Sequence, residues 1–344
     1  MNQINFPMKR TLQGLSSLLI ILFLTGSVSF AQDAQTEITN AYNAAQEKAT
    51  AGSYEEAIEA FEAVYDDAEE AGLADIQDLV VGQLPRIYSA KASEAYKTFQ
   101  SNQSLETIDA AIEAFQEAEE AATEYGESSI AAQMAGNIPQ LYYVKSLVQF
   151  RQEDLEGASA TLDLAIDANA NYAQAYFQKA IVMRKQGKAT ADVVSMFDQA
   201  ITLAEMYDQG QVASRATDQA VQTLLSSGAQ AVQDNQITDG IDLLNRAAEY
   251  ETDEADVFFR LAEAYNKRSR YDEAISNAQR ALELESGGVA DKAKIYFELG
   301  FAYQMQNNKD AACSAMKNAS YGDFRDPANH KMEFELKCPG TSGS

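Results

Sequence analysis

Three segments of the chain, YEEAIEAFEAV (54–64), IDAAIEAFQEA (108–118) and YDEAISNAQRA (271–281), share one rhythm. Each sets an Ala, then an apolar or small residue four places on, then a small one three further: Ala57–Phe61–Val64, Ala111–Phe115–Ala118 and Ala274–Ala278–Ala281. Offsets of three and four fall on a single helical face. Small side chains on that face let a neighbouring helix come close, and the larger one fills the gap. A chain with this rhythm at three places is expected to fold as packed helix pairs. Ala, Glu, Gln and Leu dominate while Thr and Val are thin, which argues against sheet.

A second signature precedes the last of these segments. VFFRLAEAY (257–265) sets Phe258, Leu261, Ala262 and Tyr265 at helical spacing, and Tyr271 follows in the turn. YFELGFAY (296–303), with Ala312, Met316 and Ala319, repeats the pattern closely, and YFQKAIVM (176–183), with Phe197 and Ala200, repeats it well. LLSSGAQA (224–231), with Gly240, Leu244 and Ala247, does so more loosely. Together these residues resemble the tetratricopeptide repeat, a helix-turn-helix unit of about 34 residues. Its first helix carries a large aromatic, Leu-Gly or Leu-Ala and then Tyr; its second carries Ala, Phe and Ala. The resemblance implies an all-α fold, a right-handed α-solenoid of antiparallel helix pairs.

In that register the chain holds seven units: 38–71, 85–125, 139–172, 173–207, 221–254, 255–288 and 293–326. Three inserts of 13 residues each, 72–84, 126–138 and 208–220, separate units one and two, two and three, and four and five. Ile76, Leu79, Val80 and Leu84 recur at helical intervals in the first insert, as do Ile130, Met134 and Ile138 in the second. Each insert therefore reads as a helical extension of about 20 Å ahead of the next leading helix. The junctions carry a near-duplicated motif, GQLPRIYSAK (82–91) and GNIPQLYYVK (136–145). Proline inside a helix removes a hydrogen bond and clashes with the carbonyl four back, whereas at a first position it costs little. The motif predicts a kinked or briefly broken helix at Pro85 and Pro139, in preference to separate helices joined by an open loop. Tyr88 and Tyr142 take the repeat's large aromatic place and read as buried packing residues. Residues 327–344 read as a closing helix and tail, started by Pro327 and stopped by Pro339-Gly340.

The first 31 residues have the pattern of a targeting segment: Lys9 and Arg10, the apolar run LLIILFL (18–24), then SFA (29–31). A spanning helix needs about 20 apolar residues, so cleavage after Ala31 is expected, with no integral span in the mature chain. The product would be exported, to the periplasm or the cell surface. Without Lys9 and Arg10 there remain 24 basic against 52 acidic residues, a net charge of −28. Nucleic acid and anionic membranes are recognised by clustered Lys and Arg, so neither is an expected partner. The acidity reads as a solvated, self-repelling surface.

Catalytic chemistry is sparsely supplied. The one histidine, His330, sits among polar neighbours of the closing segment, and no phosphate loop, GxSxG elbow or HExxH occurs. No enzyme activity, cofactor or metal is expected. Cys313 and Cys338 are the only cysteines of an exported chain, and a disulfide between them would pin the closing segment. What remains is a partner surface. The resemblance implies a groove lined by the leading helices that takes another protein or a peptide segment. Its places here fall on Tyr143, Leu147, Phe150, Phe177, Ile181, Arg184, Phe259, Asn266, Lys267, Phe297 and Phe301. Aromatics there would serve as apolar anchors, with Arg184 and Lys267 supplying positive charge. A second reading is a glycan- or small-molecule-binding protein, with Tyr88, Tyr142, Tyr143 and nearby carboxylates gathered at a bend.

Overall fold

A computed structural model describes residues 29–250 and 253–339. The expected targeting segment lies outside the described residues except for 29–31. Fifteen α-helices and no strand occur among the described residues. Successive helices pack against one another as the antiparallel pairs of a helical solenoid. The chain divides after Val182 into two compact units. The first holds α1 (Ser29–Ala51), α2 (Tyr54–Glu70), α3 (Ala74–Ser101), α4 (Leu105–Glu124), α5 (Ser128–Arg151) and α6 (Leu155–Ala168), and most of α7 (Ala173–Lys185). The second holds α8 (Thr190–Met206), α9 (Gly210–Gln233), α10 (Ile237–Ala248), α11 (Ala255–Lys267), α12 (Tyr271–Leu284), α13 (Val289–Met305), α14 (Lys309–Ala319) and α15 (Arg325–His330).

Several helices stop where the backbone turns left-handed. Gly52 (φ 85°) closes α1 and Gly72 (φ 69°) closes α2, each freed from the Cβ clash that makes this region costly. Asp208, Asn235 and Asn307 take the same geometry after α8, α9 and α13, as residue types that tolerate it. Connections of two or three residues leave neighbouring helices no choice but to run antiparallel. At the start of α4 a capping box adds definition: the Thr107 N–H donates to Ser104 Oγ at 3.2 Å, and the Ser104 N–H donates to Thr107 Oγ1 at 3.3 Å.

The core is a succession of layers. All nine residues of the shared rhythm, Ala57–Phe61–Val64, Ala111–Phe115–Ala118 and Ala274–Ala278–Ala281, are buried. Phe61 packs in one cluster with Ile76, Val80, Leu84 and Ile87 of α3. Phe115 does the same one step on, with Met134, Ile138 and Leu141 of α5. The apolar residues of the first two inserts are thus core, and each insert forms the front half of a long helix.

Both prolines lie inside those long helices, buried, and the helix runs through each junction unbroken. Just beyond the first, the Ser89 hydroxyl donates to the Pro85 carbonyl at 2.8 Å. The two copies of the motif, 54 residues apart in the chain, make equivalent ties to the preceding helix. Tyr88 donates to Glu62 Oε1 at 3.2 Å, while Tyr142 accepts from Gln116 Nε2 at 3.1 Å. Lys91 lies 3.6 Å from Glu55, and Lys145 lies 2.7 Å from Asp109. Proline, tyrosine and lysine together set each extended helix against the trailing helix before it.

The closing segment differs from expectation. A 3₁₀ turn (Gly322–Phe324) precedes α15, which starts at Arg325 rather than at Pro327, and a π-helical turn (Lys331–Glu335) continues it. Pro327 falls in the first turn of α15, where N–H groups have no intrahelical partner to lose.

Glycines mark where helices touch and where they do not. A Cβ on Gly240 would lie 2.5 Å from Val232 Cγ2 and 2.9 Å from the Gly228 carbonyl oxygen, so α9 and α10 meet backbone to backbone there. A Cβ on Gly82 or Gly136 would meet nothing within 4 Å. Gly240→Ala is therefore expected to cost about 1–3 kcal/mol by overpacking. Gly82→Ala and Gly136→Ala should each stabilise by about 0.5–1 kcal/mol through helix propensity. Urea midpoints of the three variants check both signs; destabilisation by Gly82→Ala would mean the proline junction needs the glycine's freedom.

Candidate functional site

Helices α2, α3 and α4 enclose an open cleft of about 390 Å³. On α2, Glu55, Glu59 and Glu62 stand at positions i, i+4 and i+7; on α4, Glu117, Glu120 and Glu124 stand at i, i+3 and i+7. Those spacings draw one carboxylate stripe along each wall. The floor is α3, with Tyr88 and Lys91 one turn apart, and Tyr125 closes one end. Six carboxylates and a single ammonium line the cleft. A neighbouring hollow of about 540 Å³, which adds Glu56, Glu94 and Glu113, shares Glu55, Lys91 and Glu117 with it.

Lys91 is half-buried between the walls, 2.9 Å from Glu117 and 3.6 Å from Glu55. Burial works to lower its pKa, but the hydrogen bond and charge of Glu117, joined by Glu55, outweigh burial and hold it above the ordinary lysine value. The Tyr88 phenol is pushed up by burial and then by the charge and hydrogen bond of Glu62, so it stays a protonated donor. Tyr125 is raised by burial and then by the charges of Glu124 and Glu62. The cleft thus holds one fixed cation, phenol donors and an excess of acceptors. Among the described residues no group of three or more His, Cys, Asp or Glu side chains is arranged to hold a metal ion. Such a surface attracts and hydrogen-bonds cationic groups.

Several of the residues that sequence placed in a groove are engaged in packing or in pairing within their own unit. Phe177 and Phe259 are each 7% exposed and serve packing, which corrects their reading as surface anchors. Phe259 lies beneath two cations, with Lys294 Nζ 4.7 Å and the Arg260 guanidinium 5.1 Å from its ring centre. Tyr143, Leu147, Phe150 and Ile181 are half-buried, and Tyr143 meets Tyr172 edge to face at 5.7 Å. Arg184 is exposed but engaged, donating to Thr223 Oγ1 at 3.1 Å and to Gln219 Oε1 at 2.7 Å. Lys267 is exposed and pairs with Glu263 at 3.2 Å. Phe297 and Phe301 are covered by the chain's own closing segment, through Phe324 at 5.3 Å and Lys331 at 5.4 Å. Cys313 and Cys338 are bridged, their Cα atoms 5.7 Å apart.

The carboxylate stripes escaped sequence reading because acids are common everywhere in this chain. One signal was present. Both stripes lie on the trailing helices that flank the first copy of the proline motif, whose Tyr and Lys point between them.

Two-helix hairpins repeated through the chain define a helical-repeat scaffold. Residues 255–287 match the family model described as tetratricopeptide repeat, and the helix pairs on either side of that stretch share its helical-solenoid fold. A search of curated proteins finds no match. Among solved structures, a MamA protein is 18% identical over 58% of this chain and 97% of its own, with a TM-score of 0.37. MamA 41-end from Desulfovibrio magneticus RS-1 is 19% identical over 58% and 97%, with a TM-score of 0.34. YrrB, described as a TPR protein with an unusual peptide-binding site, is 20% identical over 56% and 91%, with a TM-score of 0.33. No site residue is carried over from them. Among the described residues no helix is long and apolar enough to cross a membrane.

A second polar feature lies between α11 and α13. The buried Asn266 amide donates to Glu298 Oε2 at 2.8 Å and to the Glu298 carbonyl at 3.0 Å. Burial raises the Glu298 carboxyl's pKa above the usual range, against the lowering effect of the Asn266 hydrogen bond, and Glu263 adds to the rise. Between the unfolded and the folded pKa the native state binds more protons than the unfolded one. Stability therefore falls as pH rises through that window. Glu298→Gln, which keeps an acceptor for Asn266, is expected to remove that fall and to melt higher than the parent at neutral pH. Melting curves from about pH 4 to about pH 8 test this; parallel pH profiles for the two proteins would refute it.

Proposed function

We propose that the protein is an exported scaffold that binds a partner protein by laying a basic, extended segment of it in the α2–α4 cleft. The observation that carries this reading is the pair of parallel carboxylate stripes, Glu55–Glu59–Glu62 and Glu117–Glu120–Glu124, facing each other across Tyr88 and Lys91. Lys and Arg side chains entering between the stripes meet excess negative charge, while the phenols and glutamates offer partners to backbone amides. Complementary charge speeds encounter and fixes register. The repeat fold supports a role in protein interaction, though fold alone does not assign a partner. The export reading is supported by Lys9, Arg10, the run 18–24 and SFA at 29–31; an exported scaffold would act in the periplasm or at the cell surface.

The glycan reading is less well supported: Tyr88 and Tyr142 are engaged with the preceding helix through Glu62 and Gln116, and Tyr143 meets Tyr172 edge to face.

Titration with a fluorescent Lys- and Arg-rich peptide tests the cleft. Glu59→Gln, Glu62→Gln, Glu120→Gln and Glu124→Gln together are expected to weaken binding about tenfold or more, with a smaller salt dependence. A control with Glu205, Asp239, Asp242 and Asp310 changed to Asn or Gln removes the same charge elsewhere. Equal loss in both variants would show that net charge, and not the cleft, binds the peptide. A mature N-terminus at Gln32 in protein recovered from envelope fractions would support export, and an intact leader in the cytosol would oppose it.

A further inference from the structure

The closing segment occupies the face of α13 on which sequence placed partner-binding aromatics. Ala328, Met332 and Leu336, at i, i+4 and i+8, are buried against Ala312, Met316 and Ala319 of α14 and against the half-buried Phe297 and Phe301 of α13. Around that apolar seam the attachments are side-chain contacts. Phe324 packs on Phe297, Lys331 lies over Phe301, and Gln304 donates to Glu335 at 2.9 Å. The segment's backbone hydrogen bonds are local, such as Leu336 N–H to the Lys331 carbonyl at 2.8 Å and Cys338 N–H to the Met332 carbonyl at 2.8 Å. Its path is a 3₁₀ turn, one short helix and a π turn, not a full repeat helix. Apart from the chain that leads into it from α14, its covalent hold is at the far end, where Cys338 is bonded to Cys313 in the middle of α14.

We propose that residues 322–338 form a redox-latched lid on α13, and that the face beneath it takes an amphipathic helix of a partner protein. The lid itself defines that partner's chemistry: small and aliphatic side chains repeating at i, i+4 and i+8, with a cation placed to cover Phe301. Opening requires a dithiol reductant. One of its thiolates attacks the sulfur of Cys313, the less buried of the two residues. The Cys338 thiolate leaves and takes up a proton. The reductant's second thiol then displaces Cys313, which is also protonated, and the reductant departs as its own disulfide after a two-electron exchange. With the bond made, the lid is tied at both ends to α14 and excludes competitors. With the bond broken, only its side-chain contacts hold it, and a matching helix supplied in trans can take its place. This inference stands apart from the acidic cleft, which lies in the other unit.

The experiment uses the full chain, oxidised or treated with dithiothreitol, and a Cys338→Ser variant that lacks the bond without reductant. Trypsin cleavage after Arg325 and Lys331, followed by mass spectrometry, reads lid opening. A labelled peptide of residues 322–339 with Ser at 338 reads occupancy of the exposed face. Reduced protein and Cys338→Ser are expected to be cut at those sites about tenfold faster than oxidised protein, and to bind the peptide where oxidised protein does not. Phe297→Ala with Phe301→Ala should abolish that binding while helix content by circular dichroism is retained. Unchanged cleavage on reduction would overturn the latch. Opening without peptide binding would overturn the docking face, and collapse of helix content throughout would make the bond a staple of the fold instead.

Discussion

The structure depends on one contact made repeatedly: a large side chain seated among alanines where a trailing helix lies against the leading helices beside it. Phe61 and Phe115 are the clearest cases, fully buried, with Ala57 and Ala111 one turn before them equally enclosed. Close approach of helices needs small residues, while the cost of an empty gap requires a large one; truncating such a phenylalanine costs about 3–5 kcal/mol. In the α9–α10 hairpin the same constraint is met without an aromatic. There Gly228 and Gly240 bring the backbones together and Leu244 fills the space. Each layer needs its neighbours to be complete, as in any repeat whose units bury their faces on one another.

That packing explains why the charge lies where it does. With Ala, Phe and Val of α2 turned to the core, the opposite stripe of the same helix is left to Glu55, Glu59 and Glu62. Helix α4 repeats the arrangement with Glu117, Glu120 and Glu124. A cleft between two such walls would be self-repelling if nothing entered it. Lys91 relieves part of this by reaching both walls, and Tyr88 takes one carboxylate as a hydrogen-bond partner. The excess of negative charge that persists is what a basic segment would meet.

Helix type and helix pairing were legible because small-large-small spacing is a local pattern with a steric cause. Every residue of that rhythm is buried, and the insert positions Ile76, Val80 and Leu84 are as well. The junction at Pro85 was legible as a helical joint but not as an unbroken helix. Its continuity comes from burial of the proline and from the ties of Tyr88 and Lys91 to α2, which are tertiary. The partner surface was the least legible. Register places Phe177 and Phe259 at groove positions, but whether a side chain there meets solvent is decided by what neighbouring side chains fill. Two cations lie over Phe259, and the chain's own C-terminus covers Phe297 and Phe301. None of these is a repeat-pattern residue of its own helix face, so no single repeat could announce them.

The two ends of the chain therefore present different chemistry on the same scaffold. Near the N-terminus, the extended helix α3 exposes a polar floor between two acidic walls, and binding there would be governed by charge and weakened by salt. In the last hairpin, Phe297 and Phe301 lie beneath the closing segment, and binding there after its release would be governed by apolar fit. A scaffold that used one mechanism at both ends would hold a single kind of ligand twice. If both proposed sites bind, an electrostatic contact would form quickly and an apolar one would persist, since steered encounter raises the on-rate while buried contacts set the off-rate. The closing segment keeps the second surface from the indiscriminate association that an exposed apolar patch invites. Its covalent tie to α14 makes that protection conditional on the oxidation state of Cys313 and Cys338.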